Sequence, residues 1–442
     1  MTDADTDESE RGFEIPPFVQ APASVPPRGE AILKAVTDYY LKSHDFNGLP
    51  VSAISGSPEK RRTALHELVS SGRISLNFGD AHPNTHIKAF VADNVETQLK
   101  KLVSADLTHV CAYPTPEHLS QIVNKAEYHG RPFSLRLALG DGQLELKAFD
   151  LKVLENYRND PRYHYETDGI QGRISVTDEY GQSAKMKTSD KVLLKAFGFG
   201  YDTDWNSAVM AFVWDLAQLS PEHQQKWHSE LLPGNFEPHP DFWRAMMGNW
   251  PERASIFSAF AAELSVINQM ARLMGRPDFF HKDFSGGKRP REFAPLIRPT
   301  LHEFNAFAHL LDKMMSDNIN VKFFEGEVDT ERLEKRADGM YVAKPVGTIF
   351  MLEEWFKRVR FPDPAPKDKM LGVFREVRQL RVNPAHVVDE NMFDQKYFEE
   401  QHNLIIRAYE AVRTLRLILA NHPATKACQI PDWLYRGEIW TR

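Results

Sequence analysis

The sequence predicts an α+β chain of several domains, in which a mixed N-terminal region precedes a C-terminal four-helix bundle. A glycine-rich, basic segment at 283–293 divides two kinds of pattern. Before it, short alternating apolar runs are interspersed with helical patterns, and after it the apolar residues recur mainly at helical spacing. The length of 442 residues allows two to four domains.

Composition and charge exclude several classes of protein. Hydrophobic residues make up 42% of the chain and charged residues 26%, which is ordinary for a globular protein. The net charge of -7 provides no broad basic surface, so any contact with nucleic acid must be local. Two cysteines, Cys111 and Cys428, cannot make a disulfide framework, and no apolar run reaches the ~18 residues of a membrane span. The acidic N-terminus is not a targeting signal, so we expect a cytoplasmic protein without membrane contact.

The N-terminal part divides into an arm and a small module. Residues 1–28 are acidic and then proline-rich, which predicts a disordered arm. Residues 29–105 show two helical patterns, followed by RISLNFG (73–79) and HIKAFV (86–91), which are predicted to pair as a hairpin. This order, together with the stretch LHELVSSGRISLNF, resembles the winged-helix family. The resemblance implies a DNA reader, although the net charge favours a protein-contact module or a different small fold.

Residues 106–295 predict a mixed α/β region with a sensing or regulatory role. The alternation in FSLRLAL (133–139), followed by Gly140-Asp141-Gly142, predicts a β-hairpin. VMAFVWD (209–215) predicts a buried strand, and the apolar face of segment 254–275 predicts a long helix. The region shows no phosphate loop, dinucleotide fingerprint or serine-hydrolase elbow.

Residues 296–425 carry four amphipathic helical patterns, which predict a four-helix bundle followed by a tail at 426–442. The predicted helices begin near Thr300, Thr348, Asp368 and Asp394. Asp338-Gly339 predicts a short hairpin between the first two helices. Asn383-Pro384 ends the third helix, because the residue before a proline is pushed out of the helical region.

One arginine–histidine pair lies between the third and fourth predicted helices. Five pairs in the chain have an arginine, four to six residues and a histidine, and about three are expected by chance, so spacing alone selects none. Arg381–His386 is distinguished by its position at the junction of the third and fourth predicted helices. Arg378 also lies one turn before Arg381 on the same side of the helix, so the two guanidinium groups are expected to point at one place. The other pairs are explained as helix faces, turns or helix ends. They are Arg61–His66, Arg158–His164, Arg276–His281 and Arg416–His422.

In this part, about residues 296–422, the chain resembles the HEPN family. HEPN domains are four-helix bundles that often act as RNases in phage defence, toxin and CRISPR systems, with an arginine–histidine motif near the third-to-fourth helix junction. The resemblance places that motif on Arg381 and His386, with Asn383 as its polar residue. It implies an RNA substrate, a homodimer with facing motifs, and no metal or other cofactor. Val382 departs from the family pattern, in which a polar residue directly follows the arginine.

These residue types suit metal-independent RNA cleavage. The 2′-hydroxyl must lose a proton and the leaving 5′-oxygen must gain one, and a histidine with a pKa near 6.5 can do either. A guanidinium group can bind two oxygens of the phosphorane-like transition state. With one motif histidine per chain, a facing dimer supplies a base and an acid, which predicts a 2′,3′-cyclic phosphate product. Arg378 is the predicted RNA-binding residue beside the catalytic Arg381, His386 and Asn383.

The sequence therefore predicts an RNase effector of antiviral defence or toxin-type stress response, triggered by protein or nucleic acid at its N-terminal region. Another interpretation stays open. Arg378 and Arg381 could instead be solvated helix-end residues paired with Glu376 and Asp389, and His386 a turn residue. The bundle would then be a catalytically inactive dimerisation or scaffold unit, joined to an N-terminal region that binds DNA or a partner.

Other polar residues are weighed against ordinary structural roles. Glu303, Asp312 and Lys313 on the first bundle helix could face the candidate site, but a solvated helix face is favoured for each. His223 and His228 are five residues apart on a predicted helix, which turns them away from each other. We therefore predict no metal site.

Overall fold

This computed structural model describes residues 28–441, apart from 81, 89–90, 285–287, 336–337, 339 and 383–389. The chain forms two compact units, the first of residues up to 127 with 135–145, and the second of residues 128–134 with those from 146 onward. Both units combine helices and strands, which confirms the predicted mixture of α and β structure. The predicted N-terminal arm lies outside the described residues up to residue 27.

The first unit is built around three short strands. Its elements are helices α1 (Arg28–Lys42), α2 (Pro58–Ser70), α3 (Val95–Ser104) and α4 (Pro116–Ile122) and strands β1 (Leu49–Pro50), β2 (Ile74–Asn77) and β3 (Cys111–Pro114). The strands form an antiparallel sheet in the order β1-β3-β2. Leu65 and Val69 of α2 and Val36 of α1 are fully buried in the core of this unit. The α2 helix begins as predicted, with Ser57 as N-cap and Pro58 at the first helical position.

The hairpin predicted between RISLNFG and HIKAFV is wrong. Strand β2 pairs instead with β3, a run of four buried residues that the sequence analysis did not single out. The described residues of HIKAFV, 86–88 and 91, are not in a strand. The four residues of β3 are all buried, so this strand lacks the alternation by which a half-buried strand is recognised.

The hairpin predicted from FSLRLAL is also wrong, because this segment forms helix α5 (Pro132–Ala138). Phe133 and Leu137 are fully buried at a spacing of four, which is a helical spacing that the apparent alternation concealed. Pro132 occupies the first helical position, where a proline is favourable. The next strand, β4 (Leu146–Phe149), pairs with a strand far along the chain.

The second unit begins with a six-stranded antiparallel sheet, ordered β4-β8-β7-β6-β5 with β9 beside β7. The further strands are β5 (Tyr163–Thr167), β6 (Gln171–Val176), β7 (Leu193–Tyr201), β8 (Ser207–Phe212) and β9 (Glu237–Pro238). Helices α6 (Glu155–Arg158), α7 (Asp178–Gly181), α8 (Val213–Ala217), α9 (Pro221–Ser229) and α10 (Pro240–Met246) accompany them. The strand predicted at 209–215 is confirmed up to Phe212, after which the chain turns into α8.

The rest of the second unit is mainly helical. Its elements are strands β10 (Ala254–Ser255), β11 (Glu331–Lys335), β12 (Tyr341–Pro345) and β13 (Ile439–Trp440) and helices α11 (Ile256–Leu273), α12 (Leu301–Met314), α13 (Thr348–Phe356), α14 (Ala365–Val382), α15 (Lys396–Ala420) and α16 (Asp432–Arg436). Helices α12 to α15 occur where the four helical patterns predict them. Thr300 is the N-cap of α12, where its Oγ1 accepts a hydrogen bond from the Glu303 amide at 3.3 Å. The predicted hairpin around Asp338 is present as β11 paired with β12.

Helix α11 packs against α15 and shares one apolar core with α12 to α15. Glu263 of α11 forms an ion pair with Arg416 of α15, in which Arg416 Nη2 is 3.2 Å from a Glu263 carboxylate oxygen and both side chains are buried. The predicted tail is part of the same core, since β13 pairs with β10 and Leu434 of α16 is fully buried. The structure therefore does not divide at the boundary expected near 295. The reason is that α11 buries its apolar face against the helices that follow that boundary.

One buried histidine of this unit should make stability depend on pH. His223 of α9 has its Nδ1 2.9 Å from the Tyr157 hydroxyl oxygen, and burial lowers the pKa of its imidazole from 6.5 to about 4. Between these pH values the folded protein binds fewer protons than the unfolded chain, so acidification destabilises it. We expect His223 to reduce the free energy of unfolding by about 3 kcal/mol between pH 7 and pH 4.

Urea unfolding of wild type and His223→Gln at both pH values measures this effect. The loss of stability on acidification should be smaller in the variant than in wild type. An equal loss in the two proteins would show that another group is responsible.

Candidate functional site

The structure describes only part of the site predicted from the arginine–histidine motif. His386 and Asn383 lie outside the described residues. Arg378 and Arg381 lie in the last turns of α14, three residues apart and therefore on one side of the helix. The described part of the site is thus the place where these two guanidinium groups meet.

Helix α14 is held in position by its apolar face. Asp363 precedes it, and its side chain accepts a hydrogen bond from the Ala365 amide at 2.9 Å. Phe374 and Val377 are fully buried against the core shared with α12 and α15. Because these residues fix the rotation of α14, the arginine side is turned toward the C-terminal end of α12.

Both arginines contact the same two carboxylates. Arg378 Nε is 3.1 Å from Asp312 Oδ1, and Arg378 Nη2 is 2.7 Å from Asp317 Oδ1. Arg381 Nη1 is 2.9 Å from Asp312 Oδ2 and also donates to Asp317 Oδ2. Asp312 lies in the last turn of α12, and Asp317 lies in the turn that follows. The two guanidinium groups therefore converge on one place, as the sequence analysis expected, through four charge-assisted hydrogen bonds.

The four side chains differ in exposure. Asp312 is fully buried, with 0% of its side chain exposed, whereas Arg378, Arg381 and Asp317 expose 35%, 31% and 35%. The hydrogen bond to Asp312 raises the pKa of the Arg381 guanidinium. Asp312 is thus the inner anchor, and Asp317 is an outer carboxylate in contact with solvent. An anion arriving from solvent would compete with Asp317 for the two arginines.

Sequence reasoning found the arginines and missed their partners. The expected partner Glu376 pairs instead with Arg407, at 2.8 Å, and the other expected partner, Asp389, lies outside the described residues. Asp312 was weighed as a solvated residue, and this interpretation is wrong because the side chain is buried. Its position among the apolar residues Ala308 and Leu311 of α12 was the available signal.

Three other polar positions have their own roles. Glu303 receives two hydrogen bonds from Arg158, the closer at 2.8 Å, and so stabilises the start of α12 rather than the candidate site. Lys313 is exposed, as expected for a solvated helix face. Arg416 belongs to the arginine–histidine pair at the end of the fourth predicted helix, where the helix dipole was expected to account for its charge. Its side chain is instead buried and forms an ion pair with Glu263.

A histidine that the sequence analysis did not consider lies beside the arginine cluster. His309 is half-buried on α12, one helical turn before Asp312. Burial lowers the pKa of its imidazole, the positive charges of Lys313 and Arg381 lower it further, and Asp312 and Asp317 oppose them. The imidazole is therefore within electrostatic reach of three members of the cluster and favours its neutral form.

A large cleft elsewhere in the second unit has a different character. Its volume is about 1880 Å³, and the described residues that line it include seven carboxylate side chains beside Lys152 and Arg298. Two exposed aromatic residues, Trp205 and Phe393, lie in its lining. Neither Arg378 nor Arg381 lines it. Since a surplus of carboxylates repels phosphate, a phosphate-bearing ligand should favour the arginine cluster over this cleft.

Comparisons with protein-family models, curated proteins and solved structures find no match to this chain. Within the described ranges, no three or more His, Cys, Asp or Glu side chains are grouped so that they could hold a metal ion. No helix in that part of the chain is long and apolar enough to cross a membrane. The interpretation of the site therefore depends on its own residues and contacts.

Proposed function

We propose that this protein is a metal-independent endoribonuclease of the HEPN type, with Arg381 and His386 as catalytic residues and Asn383 as the polar residue beside them. The observation that supports it is the convergence of Arg378 and Arg381 on one partly exposed place at the end of α14. Two guanidinium groups at hydrogen-bonding distance from the same carboxylates are spaced to bind the oxygens of one phosphate.

In the proposed reaction, the arginines stabilise the negative charge that gathers on phosphorus in the transition state. Arg378 binds the RNA backbone and Arg381 the reacting phosphate. His386 transfers a proton to or from the reacting oxygens. Two chains associate as a homodimer with their motifs facing each other. The biological role we propose is an effector of antiviral defence or toxin-type stress response, controlled by a protein or nucleic-acid trigger at the N-terminal region.

The proposal predicts RNA cleavage that needs no divalent metal. Purified protein incubated with a 5′-labelled RNA in EDTA should give fragments that end in a 2′,3′-cyclic phosphate, because the adjacent 2′-hydroxyl is the nucleophile. Acid treatment followed by phosphatase should change the mobility of these fragments, which identifies the cyclic ester. Cleavage that stops in EDTA, or fragments with a free 3′-hydroxyl, would contradict the proposed chemistry.

The ion pairs predict that Asp317 limits access to the arginines. Asp317→Asn removes the outer negative charge while Asp312 still anchors both guanidinium groups, so RNA affinity should rise roughly fivefold, as expected for loss of about 1 kcal/mol of competition. Fluorescence anisotropy with a labelled oligonucleotide measures this change. Glu325→Gln, an exposed position with the same change in net charge, is the matched control. An equal rise in both variants would indicate a general charge effect instead.

One observation favours a second candidate, the catalytically inactive dimerisation or scaffold protein. The mutual pairing of Arg378 and Arg381 with Asp312 and Asp317 accounts for all four charges without a ligand. Val382, which follows the catalytic arginine, has 38% of its surface exposed and offers no polar group to a substrate. Under this alternative, replacing the arginines would change stability, and replacing His386 would change neither RNA nor growth.

A further inference from the structure

The large cleft of the second unit combines exposed aromatic rings with a surplus of negative charge. Its volume of about 1880 Å³ exceeds the roughly 300–1,000 Å³ of typical small-molecule sites. The turn between β7 and β8 and the first turn of α15 both contribute to its lining. Six of its seven carboxylates lie within residues 106–295, the region for which the sequence predicts a sensing role. The cleft is therefore large enough for an extended polymer segment.

Trp205, in the turn between β7 and β8, is not explained by folding. Its φ of 65° lies in the left-handed region, which favours glycine or asparagine, and 66% of the residue is exposed. The turn is closed by Asp202, whose carboxylate accepts hydrogen bonds from the amide and the side chain of Asn206, both at 2.8 Å. The Trp205 ring centroid lies 5.7 Å from that of Tyr201, which also lines the cleft. Two aromatic rings beside a carboxylate are a favourable surface for a cation.

The positive charges in the lining are already engaged. Lys152 Nζ lies 2.7 Å from a Glu230 carboxylate oxygen, and Arg298 Nη2 lies 2.7 Å from Glu155 Oε2. Burial lowers the pKa of the His402 imidazole, so this ring is mostly neutral at pH 7 and adds little positive charge. The cleft therefore keeps a net negative charge.

Two exposed carboxylates of the lining have no such partner. Asp204 lies in the turn beside Trp205, and Glu399 lies in the first turn of α15. Within the described part of the chain, neither carboxylate takes part in a hydrogen bond or an ion pair. Since they come from the strand region and the helical region of the unit, a ligand in the cleft meets free negative charge from both.

We propose that this cleft binds an extended polypeptide segment rich in lysine and arginine, supplied by a protein partner. Its cationic side chains stack on Trp205 and pair with Asp204 and Glu399. Nucleic acid is disfavoured because the carboxylates repel phosphate. A neutral oligosaccharide gains nothing from the charge, and a free polyamine fills only a small part of the volume. The inference goes beyond the proposed endoribonuclease function and does not depend on it.

The test measures fluorescence anisotropy of the full-length protein with a short labelled peptide in which lysine and arginine alternate with glycine. A matched peptide carries glutamate in place of both cations. Wild type should bind only the basic peptide, with affinity falling roughly tenfold or more between about 50 and about 500 mM salt, because salt screens exposed charges. Trp205→Ala should reduce the affinity roughly tenfold. Trp250→Ala, which removes a ring that is 90% exposed and does not line the cleft, should leave it unchanged.

A second pair of variants tests the charges. Asp204→Asn/Glu399→Gln should reduce the affinity for the basic peptide roughly tenfold, because it removes the two free carboxylates. Glu325→Gln/Asp329→Asn makes the same change in net charge at two exposed positions outside the cleft, and should change the affinity less than about twofold. Melting temperatures show that each variant remains folded, as expected for substitutions of exposed side chains.

Three results would overturn the proposal. The first is failure of wild type to bind the basic peptide, and the second is an equal loss of affinity in the cleft variants and their controls. The third is tighter binding of spermine or maltohexaose than of the peptide, weakened by Trp205→Ala, because the cleft would then serve a ligand of another class. Binding of the basic peptide that is lost only in the cleft variants would support it.

Discussion

Replacing His386 with alanine is expected to reduce RNA cleavage by roughly 10²- to 10⁴-fold, because the group that transfers protons to and from the reacting oxygens is then missing. In cells, expression of wild type should slow growth and fragment total RNA, and His386→Ala should do neither. A denaturing gel of total RNA from both cultures, together with the rate of cleavage by the two purified proteins, measures the effect. Melting temperatures from the same preparations show whether the variant remains folded.

Two other histidines provide controls for this result. His164 is an exposed residue on β5, 3.5 Å from Glu166, and His422 caps the short turn after α15 by accepting a hydrogen bond from the Ala424 amide. Neither contacts the arginine cluster, so His164→Ala and His422→Ala should cleave RNA at the wild-type rate. Equal losses in all three variants would show that the site assignment is wrong.

The double replacement Arg378→Ala/Arg381→Ala is expected to abolish cleavage and also to destabilise the fold. Asp312 is fully buried, and without the two arginines its carboxylate has no cationic partner among the residues that the structure describes. Breaking a buried ion pair from one side leaves an uncompensated charge, and because the arginines are about one-third exposed we expect about 3 kcal/mol, the lower end of the usual range. Urea unfolding measures this loss. The control is Arg375→Ala. Arg375 lies on α14 with the two arginines, is exposed and pairs with Glu353 of α13, so its loss should reduce the free energy of unfolding by under about 1 kcal/mol.

A third substitution separates the two effects. Adding Asp312→Leu to the double variant removes the unpaired carboxylate and fills its place with an apolar side chain, so most of the stability should return. Cleavage should stay absent, because the groups that stabilise the transition state are still missing. Recovery of cleavage together with stability would show that the arginines serve the fold alone. A double variant as stable as wild type would contradict the anchoring role of Asp312.

Local patterns were sufficient for helices α12 to α15. The capping box at Thr300 and the 3.6-residue recurrence of apolar residues place α12 to α15, because each of these signals acts within one or two helical turns. The convergence of Arg378 and Arg381 followed from the same periodicity. The hairpin β11–β12 was predictable because Asp338-Gly339 is a turn signal within a few residues of both strands.

The partners of these elements depend on contacts between distant residues. Asp312 is 66 and 69 residues away from the arginines that it binds, and no local pattern records which helix faces which. The same limit hides the effect on the pKa of His309 of Arg381, which lies on α14. It also hides the pairing of β2 with β3, because the buried residues of β3 run consecutively without the alternation that marks a half-buried strand.

The contact of α11 with α15 has a consequence for how this chain can be divided in the laboratory. A fragment of residues 296–425 would lack α11, and with it Glu263, the carboxylate that neutralises buried Arg416. It would also lack both strands of the pair that β10 forms with β13. Such a fragment would expose the apolar surface that α11 covers and would leave the Arg416 guanidinium group without its carboxylate. It would therefore aggregate, and aggregation would be mistaken for loss of function. The smallest fragment that preserves these contacts begins before Ala254, so the C-terminal helices cannot be separated from the rest of the chain at the glycine-rich segment.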